Sequence, residues 1–325
     1  MYRSRAFLPQ FLDRCVSALR DLGCSDWEIV LVNDGSPDDS LEYARSRIGD
    51  LHRLVVVDLS RNFGHHHAIQ AGLAQAQGKR VFLIDCDLEV DPGVLLELHA
   101  AQRDTRADMV FGFQEARKGG WFEKLTGALF WKAINAMSDV PIHANMLTER
   151  LMSRRYVDAL LQLGDRNLFM GGMMTWVGYR QVSIPLKKAA RQGASSYTLV
   201  RRLQLMVNAV SSFSSRPLVW LFHIGWLITF LSFGYAIFIV IRKLWFGDAL
   251  LGFTSMMALN AMSLGILTTA VGIVGIYMGK VFTQVQGRPS YFIQEIYGDE
   301  DSQPNADESI SVPTRVGGHG VSIDR

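Results

Sequence analysis

The chain has 325 residues, 49% hydrophobic and 20% charged, a balance too apolar for a disordered protein and slightly too apolar for an ordinary soluble enzyme. Thirty-three Lys and Arg against 31 Asp and Glu leave a formal charge of +2, so no global field draws a polyanion and nucleic acid is excluded as a partner. At ~150 residues per domain the length accommodates about two domains. The opening stretch, MYRSRAFLPQFLDR, contains no apolar leader, which predicts no secretory signal. Cys15, Cys24 and Cys86 lack paired or metal-type spacing and fit a reducing compartment.

In chain order, residues 27–33 form an apolar run stopped by Asp-Gly-Ser-Pro, which predicts a buried strand and a turn. Helical patterns over 40–48, 68–76 and 94–102 alternate with further strand-like runs over 54–59, 80–84 and 109–113. Such alternation predicts an α/β domain with a mostly parallel sheet, whose ligands bind beyond the carboxyl ends of the strands. Residues 121–137 and 197–213 carry amphipathic helical patterns. The second, with Arg201 and Arg202, reads as an interfacial helix on a lipid bilayer. Residues 218–241 and 249–279 contain no Asp, Glu, Lys or Arg, and each exceeds the ~20 residues that span a membrane. The short connection at 242–248 makes them a hairpin. Lys187, Lys188, Arg191, Arg201, Arg202 and Arg216 before it, and Lys280 and Arg288 after it, outnumber Arg242 and Lys243 in the connection. The positive-inside rule therefore predicts a multi-pass inner-membrane protein with both flanks cytoplasmic. The expected organisation is a catalytic domain at 1–194, an interfacial helix at 195–216, spans at about 218–241 and 252–278, a closing segment at 281–298 and a disordered tail at 299–325.

Three polar clusters follow predicted strands. The run FLIDCDLEVDP ends a strand in Asp85-Cys86-Asp87, which puts two carboxylates on one side of an extended backbone. Like charges so close need a cation, and hard oxygen ligands suit Mg²⁺ or Mn²⁺ completed by substrate phosphates. Asn33-Asp34-Gly35-Ser36 ends the first strand with a carboxylate suited to a ribose or base edge, and Gly35 permits close approach. Ser60-Arg61-Asn62-Phe63-Gly64 leads into a helix start, which favours phosphate. Consecutive side chains on a helix diverge, so His65, His66 and His67 do not make one metal site, although one of them can face donor phosphates.

These elements in this order resemble the inverting family 2 glycosyltransferases of GT-A fold. Downstream residues narrow the resemblance to the polyprenyl-phosphate glycosyltransferases. Residues 150–156, RLMSRRY, look like the group's RLMSRR segment; 191–197, RQGASSY, resemble R-x-x-G-x-S-K-Y with one residue fewer. FSSRPL at 213–218, GIVGIY at 272–277 and RPSY at 288–291 resemble the membrane-hairpin motifs, and the likeness extends to about residue 297. The resemblance implies inverting transfer from a nucleotide-diphospho-sugar donor to a polyprenyl phosphate, feeding cell-envelope glycan or lipopolysaccharide modification, by a homo-oligomer. It implies that Asp34, Asn33 and Arg61 bind the donor nucleotide. Asp85 and Asp87 are then catalytic and hold Mg²⁺ or Mn²⁺, while Arg191, Ser195 and Arg117 hold the acceptor phosphate. A processive polysaccharide synthase is the alternative enzyme, against which no Gln-x-x-Arg-Trp occurs; a catalytically impaired membrane scaffold is the alternative outside enzymes.

Three departures from the group's pattern stand out. His143 and Asn145 lie where an acidic residue is expected upstream of RLMSRR, and Ser196 replaces a lysine. Residues 2–9, YRSRAFLP, look like a segment that follows the group's first strand, and no such strand precedes them. The sequence thus predicts an exposed strand edge beside 27–33, with either a native start upstream of Met1, the favoured reading, or a sheet that has lost a strand.

Overall fold

Helix α1 (Leu8–Asp21) carries Pro9 in its first turn, where a missing N–H costs nothing, and buries Leu8, Phe11, Leu12 and Ala18 along one face. The computed structural model describes residues 1–51, 53–114, 146–166, 170–186, 211, 214–246 and 253–298. After α1 come β1 (Ile29–Asn33), α2 (Ser40–Ser46), β2 (Leu54–Leu59), α3 (His65–Gln75), β3 (Arg80–Leu83), α4 (Val94–Thr105) and β4 (Met109–Phe113). The strand and helix positions read from the apolar runs are thus observed to within a few residues. The chain continues through β5 (Met146–Ser153), α5 (Arg154–Leu161), α6 (Met170–Trp176), β6 (Gln181–Pro185), α7 (Arg216–Phe246), α8 (Phe253–Gln286) and β7 (Ile293–Tyr297).

The strands form two sheets, ordered β1-β2-β7 and β3-β5-β4-β6. β1 and β2 pair in parallel from Ile29 opposite Leu54 to Asn33 opposite Asp58, and β4 and β6 are also parallel. β5 runs antiparallel to both β3 and β4, and β7 antiparallel to β2. The architecture is the expected α/β class, but its sheets are mixed rather than mostly parallel. Strand–helix alternation dictates parallel neighbours only where each helix carries the chain back across the sheet. β5 and β7 enter from other directions.

Apolar side chains fill both sheet faces. Leu8, Phe11 and Leu12 of α1 pack with Leu31, Leu54 and Val56, while Ile69 and Leu73 of α3 pack with Met109, Phe111, Met152 and Tyr156. Phe111 and Tyr156 are among the largest fully buried side chains, and removing either ring would cost about 3–5 kcal/mol. β1 and β3 face each other as edge strands across a cavity of about 710 Å³.

Helices α7 and α8 each contain a stretch long and apolar enough to cross a membrane, Arg216–Tyr235 and Met262–Gln286. Neither stretch is buried within the chain, so neither serves as a core helix. Both helices outrun the expected spans: α7 continues through Arg242 and Lys243 to Phe246, and α8 through Lys280 to Gln286. Helical hydrogen bonding does not stop where apolarity stops. The end of α8 is tied to the α/β domain, since Gln284 accepts from the Arg166 N–H at 2.9 Å and donates to the Gly164 carbonyl at 3.0 Å. The closing segment then returns as β7, with the Ser60 N–H donating to the Phe292 carbonyl at 3.0 Å. The predicted helices at 121–137 and 197–213, the acceptor residues Arg117, Arg191 and Ser195, the positions of His143, Asn145 and Ser196, and the tail from 299 lie outside the described residues, apart from Ser211.

Candidate active site

The carboxyl ends of β1, β2 and β3 meet at one place, and the polar clusters named from sequence converge there. Asp34, directly after β1, is buried, and its carboxylate points to the turn that follows β2. Its Oδ1 accepts from the Phe63 N–H at 2.7 Å, and its Oδ2 from the Gly64 N–H at 3.0 Å. Gly35 makes this approach possible. Its φ is +58°, and a Cβ there would lie 2.5 Å from the Asn62 nitrogen, so any side chain would force the two turns apart. Asn33 is also buried, with Nδ2 donating to Asp58 at 2.8 Å and Oδ1 accepting from the Ser36 N–H at 3.3 Å. Both ends of its amide are thus engaged within the protein. Arg61 is exposed on the same turn, its guanidinium 4.1 Å over the Phe63 ring. An exposed cation held against an aromatic face is positioned to meet an anionic ligand.

Gly64, at φ +100°, precedes α3, whose first residue His65 brings Nε2 to 3.8 Å from Asp85 Oδ1. The neighbouring His67 has its pKa lowered by burial, against the raising influence of Asp34. The His65 and His66 rings lie 5.7 Å apart, and His65 stands beside the Asp-x-Asp turn. Asp85 follows β3 and is partly exposed, whereas Asp87 is exposed and accepts from the Glu89 N–H at 3.0 Å. Leu88 takes a left-handed φ of +57°, which closes this turn. Among the described residues no three His, Cys, Asp or Glu side chains converge as metal ligands. Two carboxylates of this kind fit a hard divalent cation that draws its remaining oxygens from substrate phosphates and water.

Beneath the site lies a buried charge that sequence reading left inside a motif. Arg150, on β5 opposite Leu83 of β3, donates to the Thr148 carbonyl at 2.8 Å, the Leu147 carbonyl at 2.6 Å and the Met174 sulfur. Burial lowers its pKa to about 10, opposed by Tyr156, Glu149 and Asp85, so it remains a cation at neutral pH. The available signal was a Glu149-Arg150 pair between the apolar Met146-Leu147 and Leu151-Met152 pairs of β5.

Comparison with known proteins identifies the family of the chain. The model for Glycosyl transferase family 2 matches residues 2–161. The chain is 38% identical over 300 residues to a protein of Mycobacterium tuberculosis described as "Putative glycosyltransferases", covering 92% of this chain and 87% of the relative. It is 31% identical over 318 residues to the undecaprenyl-phosphate 4-deoxy-4-formamido-L-arabinose transferase of Proteus mirabilis, covering 95% of each. Among solved structures, a mannosyltransferase of Pyrobaculum calidifontis in complex with GDP-Man and Mn²⁺ aligns with a TM-score of 0.44 at 15% identity, covering 89% of this chain and 86% of that one. Identity of 31–38% sustained over nearly the full length of the Mycobacterium tuberculosis and Proteus mirabilis relatives, together with the matched domain, means that the chain belongs to glycosyl transferase family 2 and is a glycosyltransferase.

Proposed function

We propose that the chain transfers a single sugar, with inversion, from a nucleotide-diphospho-sugar to a polyprenyl phosphate of undecaprenyl type at the cytoplasmic face of the inner membrane. The observation that carries this reading is the meeting of three strand ends at one site, in a chain whose apolar helices lead directly back into the same sheet through β7. A relative named as an undecaprenyl-phosphate transferase, similar across 95% of both chains, supports the acceptor class.

In this reading Asp34 shapes the donor site through the 61–64 turn and faces the nucleotide, Asn33 holds the end of β1 against β2, and Arg61 meets an anionic part of the donor. Asp85 and Asp87 hold Mg²⁺ or Mn²⁺, which when bound neutralises charge on the departing diphosphate. His65, beside Asp85, borders the same diphosphate. Arg191, Ser195 and Arg117 receive the lipid phosphate. An oxygen of that phosphate attacks the anomeric carbon as the bond to the nucleoside diphosphate breaks, so the product carries inverted configuration. The acceptor's second ionisation lies near ~6, so it reaches the site largely ionised and needs little help from a general base. The protein's work is alignment and charge stabilisation.

The domain carrying the site comprises residues 1–194 with β7 added to it. The 195–216 segment lies at the bilayer surface, and the chain assembles as a homo-oligomer. The test supplies purified protein in mild detergent with undecaprenyl phosphate and a panel of labelled nucleotide sugars, then extracts the lipid. One donor should label the organic phase; label confined to a polymer, or no transfer from any donor, would overturn the reading.

A further inference from the structure

Where α8 leaves its apolar stretch, it meets the α/β domain along one line of side chains. The charge-free run ending at Gly279 is followed by Lys280, and Gln284 lies one helical turn further on. Residues four apart share a helix face, so Lys280 and Gln284 both turn toward the domain. Gln284 meets it directly, through the Arg166 N–H and the Gly164 carbonyl. Lys280 is accordingly half-buried, whereas Val281, Phe282 and Val285 around the rest of α8 are exposed. The half-buried Arg166 guanidinium donates to Ser290 Oγ at 3.5 Å, and Arg288 is exposed just beyond Gly287, which closes α8 at φ +61°. Among the described residues no carboxylate lies within ion-pair distance of Arg166 or Arg288. Asp165 is the acidic neighbour in sequence, and burial raises its pKa, the direction that favours the neutral form.

Depth assigns these cations a partner. The polar layer on each side of a ~30 Å hydrocarbon core is about 5–8 Å thick, and one turn from Lys280 to Gln284 rises about 6 Å. With Lys280 at the hydrocarbon boundary, Arg166 and Arg288 stand at the aqueous side of that layer, so the three bracket the level of phospholipid phosphates. Cations gathered beside a membrane helix at this depth are the chemistry that receives an anionic headgroup.

The same stretch leads directly to the donor turn. Two residues past Ser290, the Phe292 carbonyl accepts from the Ser60 N–H at 3.0 Å, and its ring lies 6.3 Å from that of Phe63. Tyr291 and Ile293 pack with Val57 and Leu59, and the Phe63 N–H is held by Asp34. Arg166, through Ser290, therefore bears on the segment that holds the 60–64 turn.

We propose that Lys280, Arg166 and Arg288 hold the phosphate of an anionic phospholipid at the bilayer surface, and that this lipid steadies residues 287–292 and, through them, the 60–64 turn. The inference rests on α8 crossing a membrane and holds whatever the donor and acceptor of the reaction are. A phosphate kept at this depth belongs to a lipid that stays in the bilayer, whereas an acceptor has to carry its phosphate on to the strand ends at Asp85.

The test places the full chain in vesicles of phosphatidylcholine with or without phosphatidylglycerol, and reads the lipids retained on the protein by native mass spectrometry. The parent should retain phosphatidylglycerol over phosphatidylcholine. Lys280→Gln, Arg166→Gln and Arg288→Gln should each lower that retention about fivefold, the equivalent of ~1 kcal/mol per cation. Lys280→Arg should restore it, and Arg103→Gln, an equal charge change at an exposed site on α4, should leave it unchanged. Phosphatidylglycerol should also slow hydrogen exchange over 60–64 and 287–292 roughly fivefold in the parent and not in the triple Gln variant. Inorganic phosphate in solution should give no such protection. Equal retention of the two lipids by the parent, retention undiminished in the triple variant, or unchanged exchange would overturn the proposal. Displacement of phosphatidylglycerol by undecaprenyl phosphate at equal mole fraction would overturn it too, since the cations would then serve the acceptor.

Discussion

Asp34 shows how a residue read as a ligand contact also builds the site that holds the ligand. Sequence alone identifies a carboxylate at a strand end beside a glycine, and both features recur in the structure. What sequence does not disclose is the direction of the carboxylate, because Phe63 and Gly64 are about 30 residues away and meet it only once β1 and β2 pair. Replacing Asp34 with Ala would leave the half-buried Phe63 and Gly64 N–H groups without this acceptor, at a total cost of about 1–3 kcal/mol. The expected result is a thermal midpoint lowered by several degrees and a donor KM raised at least roughly tenfold, with Asp34→Asn intermediate. A melting curve unchanged from the parent would contradict the stapling role. Arg150 is the opposite case. Its charge is visible in sequence, but its burial depends on β3 and β4 pairing with both sides of β5.

Elements were legible wherever an apolar run ended in a turn, as in β1 to β4, or wherever a helical period was clean, as in α2 to α4. Helix α1 carries such a period in Leu8, Phe11, Leu12 and Ala18 and was within reach of the same reading. β7 was not, because Ile293–Tyr297 is short, carries polar Gln294 and Glu295 at its centre and pairs through long-range contact with β2. The start of α2 shows how an element and the chain terminus are joined. Burial pushes the Asp38 pKa up. The Ser36 and Ser40 hydroxyls and the Arg5 and Ser40 N–H groups outweigh it and bring it to about 2. A carboxyl depressed in the folded state contributes stability above its unfolded pKa near ~3.9 and loses it as pH falls through the folded value. Asp38→Asn should therefore melt below the parent at pH 6, with the difference shrinking from about pH 4 toward pH 2. A difference that stayed constant across that window would show that ionised Asp38 does not hold the 1–5 segment.

At the scale of the whole molecule, α7, α8 and β7 join a membrane-type hairpin to the α/β domain that carries the site. The pair of helices was evident from charge-free length, and the return of the chain into the sheet was evident only from the fold. Gln284 and the segment before β7 fix the end of α8 to the domain, which suits an acceptor whose phosphate must reach the site while its hydrocarbon stays in lipid. The central claim is single, metal-assisted sugar transfer to a polyprenyl phosphate through Asp85 and Asp87. The most direct measurement is mass spectrometry of the lipid product made by the parent chain and by Asp87→Asn, with undecaprenyl phosphate, the productive nucleotide sugar and Mg²⁺ or Mn²⁺. The account predicts one sugar per lipid phosphate for the parent, with transfer abolished by chelator and lowered at least roughly a hundredfold in a folded Asp87→Asn protein. Product carrying several sugars, or turnover undiminished by chelator or by Asp87→Asn, would contradict it.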